Sequence, residues 1–211
     1  IIGFSGMLKD GAFGQCPSKP FLEAVQNIYR NSTRMKSLIQ DFLTFSRIEA
    51  GKLEFQFEPV DLDLLLQQII SLMEYQAREK NISLRFDSPE KIKPVRGDRS
   101  QIDRAVTNVL TNAIQYSPEG REVEIKLIEM DSALAVKICD QGPGIPDELL
   151  PSLFDRYFRV KAPKKVEGTG LGLSIVKSIV EAHGGRVEVK TAAGKGTTFR
   201  LIFPLWQPEE S

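Results

Sequence analysis

The sequence contains few of the residues that cross-link a small protein or bind metal directly. It has 2 cysteines and 1 histidine among its 211 residues. Cys16 and Cys139 alone give neither a disulfide framework nor a zinc pattern, and free cysteines suit a reducing cytosol. Lysine plus arginine equals aspartate plus glutamate, at 28 each. No net charge therefore attracts the chain to nucleic acid or to an acidic membrane.

Long hydrophobic runs are absent as well. No stretch approaches the roughly 18 apolar residues of a membrane span, and no signal peptide is visible. We therefore expect no membrane contact by this chain and a cytoplasmic location. The length allows one domain, or a domain with a smaller attachment. Because the chain opens on Ile1 without an initiator methionine, we expect a fragment of a longer protein, whose other parts could be membrane-anchored.

A glycine-rich stretch is the most prominent feature that is present. It runs directly into an amphipathic helical pattern and consists of Gly168, Thr169, Gly170, Leu171 and Gly172. Alternate glycines leave backbone N–H groups open to phosphate oxygens, and a helix start adds partial positive charge. The spacing fits neither a Walker loop nor a dinucleotide fingerprint. The stretch is either a phosphate-binding loop of a third kind or a tight turn.

The N-terminal part has a helical pattern. Residues 1–10 resemble the end of one helix, and a second runs from Phe21 to Ala50, with apolar residues at positions 21, 25, 28, 35, 39 and 42. This spacing is a heptad seam, which packs against other helices. The short first helix cannot cover so long a seam, so we expect a helical hairpin that forms a homodimer. The alternative is a hairpin folded onto its own globular domain.

Beyond Gly51, strands and helices are grouped instead of strictly alternating. Helices are predicted to begin at Asp61, Asp98 and Leu173, and strands to cover 53–57, 82–86, 123–128, 134–139, 186–191 and 197–203. This order predicts an α+β fold, a two-layer α/β sandwich with one mixed sheet and helices on one face. The helical hairpin precedes it.

Two asparagines share one face of the helix after Asp98. Asn108 and Asn112 are four residues apart among apolar neighbours. One buried asparagine can be a satisfied polar group, but two in register on a helix that faces a sheet indicate a ligand. An amide oxygen can hold Mg²⁺, which takes the rest of its shell from waters and phosphates. Asn112 is therefore the candidate metal ligand.

A carboxylate follows a predicted strand directly, in the stretch Asp140–Pro146. Because a carboxylate only accepts hydrogen bonds, Asp140 can bind the exocyclic amine of adenine and reject the carbonyl of guanine. Gly142 and Gly144 permit close approach, and Ile145 can cover the ring. The alternative is an ordinary turn that opens on an aspartate.

Two further stretches complete the candidates. Phe154–Arg159 is predicted to form an aromatic and basic helix, and Arg159 lies where a guanidinium can meet a γ-phosphate. Gly194–Thr198 joins the last two predicted strands. It is interpreted first as a hairpin turn, with a secondary role as a floor for the site.

In chain order these five motifs resemble the N, G1, F, G2 and extra glycine boxes of the sensor histidine kinases of two-component systems. Residues 1–51 resemble part of that family's dimerisation hairpin. Residues 52–205 resemble its catalytic and ATP-binding domain, of the Bergerat type shared with gyrase and MutL, and 206–211 are a tail. The resemblance implies transfer of the γ-phosphoryl of ATP to a histidine, followed by relay to an aspartate of a response-regulator receiver domain.

The resemblance also implies roles for individual residues, with ATP and Mg²⁺ as cofactors. Asn112 would hold Mg²⁺, Asp140 would bind adenine with Tyr116 beside the base, and Asn108 and Arg159 would serve catalysis. The remaining nucleotide contacts would come from Gly142, Gly144, Ile145, Lys165, Gly168, Thr169, Gly170, Leu171, Gly172 and Thr197.

Two departures from the family pattern stand out. Gln115 occupies a position where the family commonly has lysine, so a phosphate contact is weakened or supplied by Lys164 or Lys165. The phosphoacceptor histidine is expected just before Ile1. The single histidine, His183, matches a position that the family uses structurally, so we expect this chain not to autophosphorylate.

Three functions stay open at this point. The first is the ATP-binding core of a sensor histidine kinase. The second is a degenerate module that binds nucleotide, or nothing, and docks a response regulator, which Gln115 and the missing acceptor favour. The third is an ATPase of the gyrase or MutL kind, which places a carboxylate where Asn108 stands to activate water.

Overall fold

The computed structural model describes residues 1–9, 12, 18–49, 54–158 and 170–207. The chain forms two compact units, Ile1–Lys52 and Leu53–Ser211. None of the helices in the described ranges is long and apolar enough to cross a membrane.

The first unit is a pair of helices, α1 (Ile2–Lys9) and α2 (Lys19–Glu49). Small residues on α1 allow close packing, because a Cβ on Gly6 would lie 3.3 Å from the Tyr29 ring. Ser5 is buried and its hydroxyl donates to the carbonyl of Ile1 at 3.0 Å. Both predicted helices are therefore present.

The predicted seam of α2 is largely uncovered in the single chain. Val25 is buried, but five other seam residues expose between 41% and 63% of their surface, namely Phe21, Ile28, Met35, Ile39 and Phe42. A contiguous apolar stripe of this kind marks an interaction surface. The stripe is what a helix needs if it is to pack against a second copy.

Charge on this stripe should separate the copies. Replacing Ile39 and Phe42 by aspartate places two carboxylates in the seam, and we expect monomers in sedimentation velocity, whereas the unmodified chain sediments as a dimer. The matched control replaces Gln26 and Gln40, which are exposed on α2 away from the seam, by aspartate and should remain dimeric. A dimer of unchanged strength in the seam variant would contradict the assignment.

The second unit is an α/β sandwich. Its elements are β1 (Glu58–Val60), α3 (Leu62–Glu79), β2 (Ser83–Asp87), β3 (Val95–Gly97), α4 (Arg99–Tyr116), β4 (Glu122–Glu129), β5 (Ala133–Cys139), a 3-10 helix (Asp147–Ser152), α5 (Gly172–Ala182), β6 (Arg186–Thr191) and β7 (Thr197–Pro204). The main sheet has the order β2-β4-β5-β7-β6. Only β2 and β4 pair in parallel, and the other neighbours are antiparallel. The predicted mixed sheet and α+β class are confirmed.

The two faces of the sheet differ in polarity. On β4, Val123, Ile125 and Leu127 are buried in one core with the apolar faces of α3, α4 and α5. The alternating residues carry charge, and Glu124 pairs with Lys137 at 2.9 Å and Lys126 at 3.0 Å. Hydrogen bonds from Lys137 and then Lys126 lower the pKa of Glu124 to about 2. The helices therefore cover one face, as predicted.

Aspartates cap two of the helices, at the residues where the sequence predicts these helices to begin. Asp61 begins α3 and Asp98 begins α4, and Oδ1 of each accepts from backbone N–H groups two and three residues further on. Burial alone would raise the pKa of Asp98. Hydrogen bonds from the Ser100 hydroxyl and from three backbone N–H groups outweigh it and hold that pKa below its ordinary value.

One predicted strand is wrong, and two short strands, β1 and β3, were missed. The predicted helix over 154–159 is also wrong, because residues 154–158 form turns and Arg159 lies outside the described residues. Residues 54–57 are not a strand, and Leu53 lies outside the described residues. The pairing segment is β1, antiparallel to β3. The alternation of Phe55 and Phe57 was misleading because both rings pack on His183, with centroids 5.3 Å away. The missed strands, β1 and β3, have only three residues each, too few for a period to be recognised.

His183 is a buried structural residue. It is 1% exposed and lies edge-on to Phe55, Phe57 and Phe203. The backbone N–H of Asp98 donates to Nε2 at 3.0 Å, so the ring proton is on Nδ1, which donates to the carbonyl of Ile179 at 2.7 Å. Burial lowers the pKa of this imidazole. Both nitrogens are engaged, which confirms that His183 ties α5 to α4.

Protonation of His183 should weaken the fold. In the folded protein the pKa of His183 lies below the ordinary 6.5. Above pH 6.5 the imidazole is neutral in both states and the full contribution to stability is present. This contribution is lost as the pH falls from 6.5 toward the folded pKa, because the unfolded state then binds more protons. We expect the difference in unfolding free energy between wild type and His183→Phe to shrink from about pH 7.5 to about pH 5. Urea titration measures it, and carboxylates common to both proteins cancel. A constant difference would contradict the neutral assignment.

Candidate nucleotide-binding site

Asp140 comes directly after β5 and is 7% exposed. Its Oδ1 accepts hydrogen bonds from the backbone N–H of Gly142 at 2.8 Å and of Thr197 at 3.1 Å. Its own N–H donates to the carbonyl of Thr197 at 2.9 Å. Burial raises the pKa of this carboxyl, while the two backbone N–H groups oppose the rise. No donor among the described residues reaches Oδ2, which remains an acceptor for a ligand.

The loop after Asp140 requires its glycines. A Cβ on Gly142 would lie 2.8 Å from Oδ1 of Asp140 and 3.0 Å from the carbonyl oxygen of Tyr116. Gly144 has φ +71°, and a Cβ there would lie 2.0 Å from the carbonyl oxygen of Ala192. Ile145, partly buried, follows with its side chain packed against the core. Gly142 therefore brings the loop close to the end of α4.

The turn between β6 and β7 lies directly beneath this loop. The N–H of Gly194 donates to the carbonyl of Pro143 at 2.7 Å. Gly196 has φ +79°, and a Cβ on it would lie 2.0 Å from the carbonyl oxygen of Asp140. The segment is thus a hairpin turn that also packs against the Asp140 loop.

Thr191 holds the same floor together and was not predicted. Its hydroxyl oxygen accepts from the backbone N–H of Ile145 at 2.9 Å and lies 3.1 Å from that of Thr197. It also donates to the carbonyl of Gly196 at 3.0 Å. In the sequence Thr191 is only the last residue of a predicted strand, so no local signal could have identified it.

Helix α4 forms one side of the site. Asn108 lies near the start of α5, where a Cβ on Gly172 would be 3.8 Å from its Cγ. The amide Nδ2 of Asn108 is buried and has no hydrogen-bond partner in the described part of the chain. Asn112 lies one turn further along and is partly buried, and Tyr116 ends the helix beside Gly142. An orphaned buried donor costs free energy and indicates a ligand that supplies an acceptor.

The start of α5 suits an anion. Gly170 has φ +73°, and a Cβ there would lie 2.7 Å from the backbone carbon of Tyr157. The buried Leu171 is the N-cap and has no side-chain oxygen, unlike Asp61 and Asp98 on α3 and α4. The first N–H groups of α5 are therefore not capped by the N-cap side chain, and the helix dipole favours negative charge there.

Comparison with known proteins identifies the family of the chain. Residues 97–207 match the family described as histidine kinase-, DNA gyrase B-, and HSP90-like ATPase. Residues 1–51 match the His Kinase A (phospho-acceptor) domain. The chain belongs to the histidine kinase family. The resemblance that rests on the five motifs is thereby confirmed.

Individual relatives extend this result. The adaptive-response sensory kinase SasA of Gloeothece citriformis (strain PCC 7424) is 31% identical over 201 residues, which are 93% of this chain and 51% of SasA. The chain thus spans about half the length of that relative. The catalytic domain of histidine kinase ThkA is 30% identical with a TM-score of 0.64, over 71% of this chain and 98% of that one.

Two larger structures share the fold. Full-length ShkA in complex with AMPPNP has a TM-score of 0.78 at 24% identity, over 99% of this chain and 43% of ShkA. ThkA in complex with the response regulator protein TrrA has a TM-score of 0.70 at 24% identity, over all of this chain (100%) and 60% of ThkA. At these identities the likeness establishes the fold alone.

The structure brings most of the predicted site residues together around two loops and one helix. The contacts above join Asp140, Gly142, Gly144, Ile145 and Thr197 to Tyr116 on α4, and Asn108 to Gly172 on α5. Four predicted residues, Arg159, Lys165, Gly168 and Thr169, lie outside the described residues, as does Lys164. Their roles stay predictions from the sequence.

The two glycines of the floor offer a matched test. Alanine at Gly194 or at Gly196 places a Cβ in the left-handed region, at about 1–2 kcal/mol each. Gly194 has open space beside it, but at Gly196 the added Cβ would overlap the carbonyl of Asp140. We expect Gly196→Ala to lose about 2 kcal/mol more unfolding free energy than Gly194→Ala in urea titration. Equal losses would contradict the close contact.

Proposed function

We propose that this chain is the ATP-binding core of a sensor histidine kinase of a two-component system. It would transfer the γ-phosphoryl of ATP to a histidine on a dimerisation helix, for relay to an aspartate of a response regulator. The observation that carries the proposal is the buried carboxylate of Asp140, whose Oδ1 is held by two backbone N–H groups and whose Oδ2 is left to accept.

Asp140 supports recognition of adenine. The exocyclic amine of adenine is a donor, so it can pair with Oδ2, whereas guanine presents a carbonyl at that position and meets an acceptor. A site built around a buried polar group rejects a mismatched ligand strongly, because the group is left unpaired. Tyr116 and Ile145 are both partly buried near Gly142 and can contact the faces of the base.

The other end of the site suits phosphates. The start of α5 supplies N–H groups, and Nδ2 of Asn108 is a buried donor that awaits an acceptor. Asn108 is an amide and cannot act as a general base, so it would orient a group by hydrogen bonding. This chemistry counts against the gyrase-like ATPase, which activates water with a carboxylate.

The residues fit Mg²⁺ only together with a nucleotide. No group of three or more histidine, cysteine or acidic side chains that could hold a metal is found in the described ranges. Asn112 offers one amide oxygen, and Mg²⁺ takes the rest of its shell from waters and phosphate oxygens. When bound, the ion neutralises charge on the phosphoryl group that is transferred. Asn112 would hold it at the middle of α4, between Asn108 and Tyr116.

The acceptor of the phosphoryl group would not be His183. That ring is buried and both of its nitrogens are hydrogen-bonded, so neither can attack phosphorus. Because the chain has 1 histidine, the acceptor would be a histidine outside these 211 residues. A neutral imidazole is already a nucleophile near pH 7, so the kinase mainly has to position it.

Partners follow from the same proposal. ThkA, which shares the fold, has been solved with a response regulator, and this supports a receiver domain as the partner here. The uncovered seam of α2 supports a homodimer. We propose no contact with nucleic acid or with a membrane, and a cytoplasmic location. A degenerate docking module is the second candidate, because Gln115 stands where the family commonly has lysine.

Nucleotide titration tests the proposal. We expect calorimetry to show micromolar binding of a non-hydrolysable ATP analogue with Mg²⁺ and much weaker binding of the GTP analogue. Asp140→Asn replaces the acceptor Oδ2 by an NH₂ donor, which faces the amine of adenine. The substitution should therefore weaken binding of the ATP analogue at least about a hundredfold. The matched control is Asp131→Asn in the exposed turn that precedes β5, which should bind normally.

Metal removal tests Asn112 separately. Chelation of Mg²⁺ should weaken the wild type, and Asn112→Ala should lose most of this metal dependence while it keeps its preference for adenine. Equal affinity for the two analogues would contradict the role of Asp140. Absence of binding by a folded wild-type chain would favour the degenerate docking module.

A further inference from the structure

Lys80 makes an unusual set of contacts from outside the site. It is the C-cap residue of α3, and its side chain reaches across to the end of α4. Its Nζ donates to the carbonyl oxygens of Ile114 at 2.8 Å, of Ser117 at 2.9 Å, and of Gln115. An ammonium group has three donors, and these three contacts direct it at the last turn of α4.

The last turn of α4 needs such a partner. Its terminal carbonyl oxygens have no intrahelical N–H donor, and the helix dipole concentrates negative charge there. Helix α4 has no basic residue of its own in this turn. Lys80 supplies the cation from a different element, and its backbone N–H is anchored to the carbonyls of Ala77 and Arg78.

The carbonyl group of Tyr116 makes a different contact from the three that Lys80 binds. Lys80 binds the carbonyls of residues 114, 115 and 117, whereas the carbonyl oxygen of Tyr116 faces Gly142, 3.0 Å from where its Cβ would be. Gly142 in turn donates its N–H to Oδ1 of Asp140. The hydrogen bonds of Lys80 on both sides of Tyr116 therefore hold the Tyr116 carbonyl group in place against the loop that follows Asp140.

We propose that Lys80 is a positioning residue for the adenine end of the site. It holds the last turn of α4 so that Tyr116 stays against Gly142 and Asp140 keeps its orientation. The inference rests on the proposed adenine role of Asp140. Lys80 acts through α4 and does not contact the nucleotide itself.

Lys80→Met tests the role, because it removes the ammonium and keeps an unbranched apolar stem. Without these hydrogen bonds, the end of α4 occupies its binding-competent position in only a fraction of the molecules. The apparent affinity for nucleotide falls in proportion to that fraction. We expect about tenfold weaker binding of the ATP analogue, measured at a temperature where the variant is folded. Lys91→Met, at an exposed loop lysine, is the control and should bind as the wild type does.

A spectroscopic readout separates positioning from simple stabilisation. In amide NMR spectra without nucleotide, Lys80→Met should shift the Gly142 amide, whereas Lys91→Met should leave it in place. A lower melting temperature with unchanged affinity and an unshifted Gly142 amide would make Lys80 only a helix cap and would overturn the inference.

Lys80→Arg replaces Lys80→Met if the latter does not fold. A planar guanidinium cannot reach all three carbonyls as the ammonium does, and we expect about threefold weaker binding with the same Gly142 shift. Unchanged binding and shift would overturn the inference. If the wild type binds no nucleotide, the proposed function fails, while the Gly142 shift still decides the role of Lys80.

Discussion

The hydrogen bonds to Oδ1 of Asp140 are the contacts on which the site depends. One donor, Gly142, is local, and the other, Thr197, is 57 residues away along the chain. The two segments meet because β5 and β7 are antiparallel neighbours, with Cys139 opposite Thr198. The register of the sheet therefore places the turn between β6 and β7 beneath the loop that follows Asp140. A slip of this register would move Thr197 away from the carboxylate.

Helix α4 connects this carboxylate to the glycine loop. Its successive turns carry Asn108, Asn112 and Tyr116, so this helix meets the start of α5 at Asn108 and Gly142 at its C-terminal end. The start of the helix is fixed by Asp98 and His183, and its end by Lys80. Nδ2 of Asn108 on this helix has no hydrogen-bond partner in the described part of the chain, while both ends of the helix are held by hydrogen bonds. This combination suits a site that must be in place before its ligand arrives.

Much of this arrangement could be predicted from the sequence, because its signals are local. Helix caps depend on residues two or three positions apart, and the asparagine pair depends on one helical turn, so Asp61, Asp98 and the shared face of Asn108 and Asn112 are visible in a single segment. The α+β class follows from the grouping of strands and helices. The resemblance to the family added the order of the motifs.

The features that could not be predicted are those that depend on distant contacts. Phe55 and Phe57 alternate like a strand, but the fold uses them to enclose His183, and β3 is too short to carry a pattern. Thr191 and Lys80 give no signal in their own segments. Each acquires its role only when another element, the Ile145 loop or the end of α4, is brought against it. Tertiary contacts of this kind override local preference.

The most direct test of the account is a crystal structure of this chain with a non-hydrolysable ATP analogue and Mg²⁺. We predict that the exocyclic amine of adenine lies about 3 Å from Oδ2 of Asp140 and that the side-chain oxygen of Asn112 is a ligand of the ion. A base bound elsewhere, or an adenine amine that does not contact Asp140, would contradict the central claim.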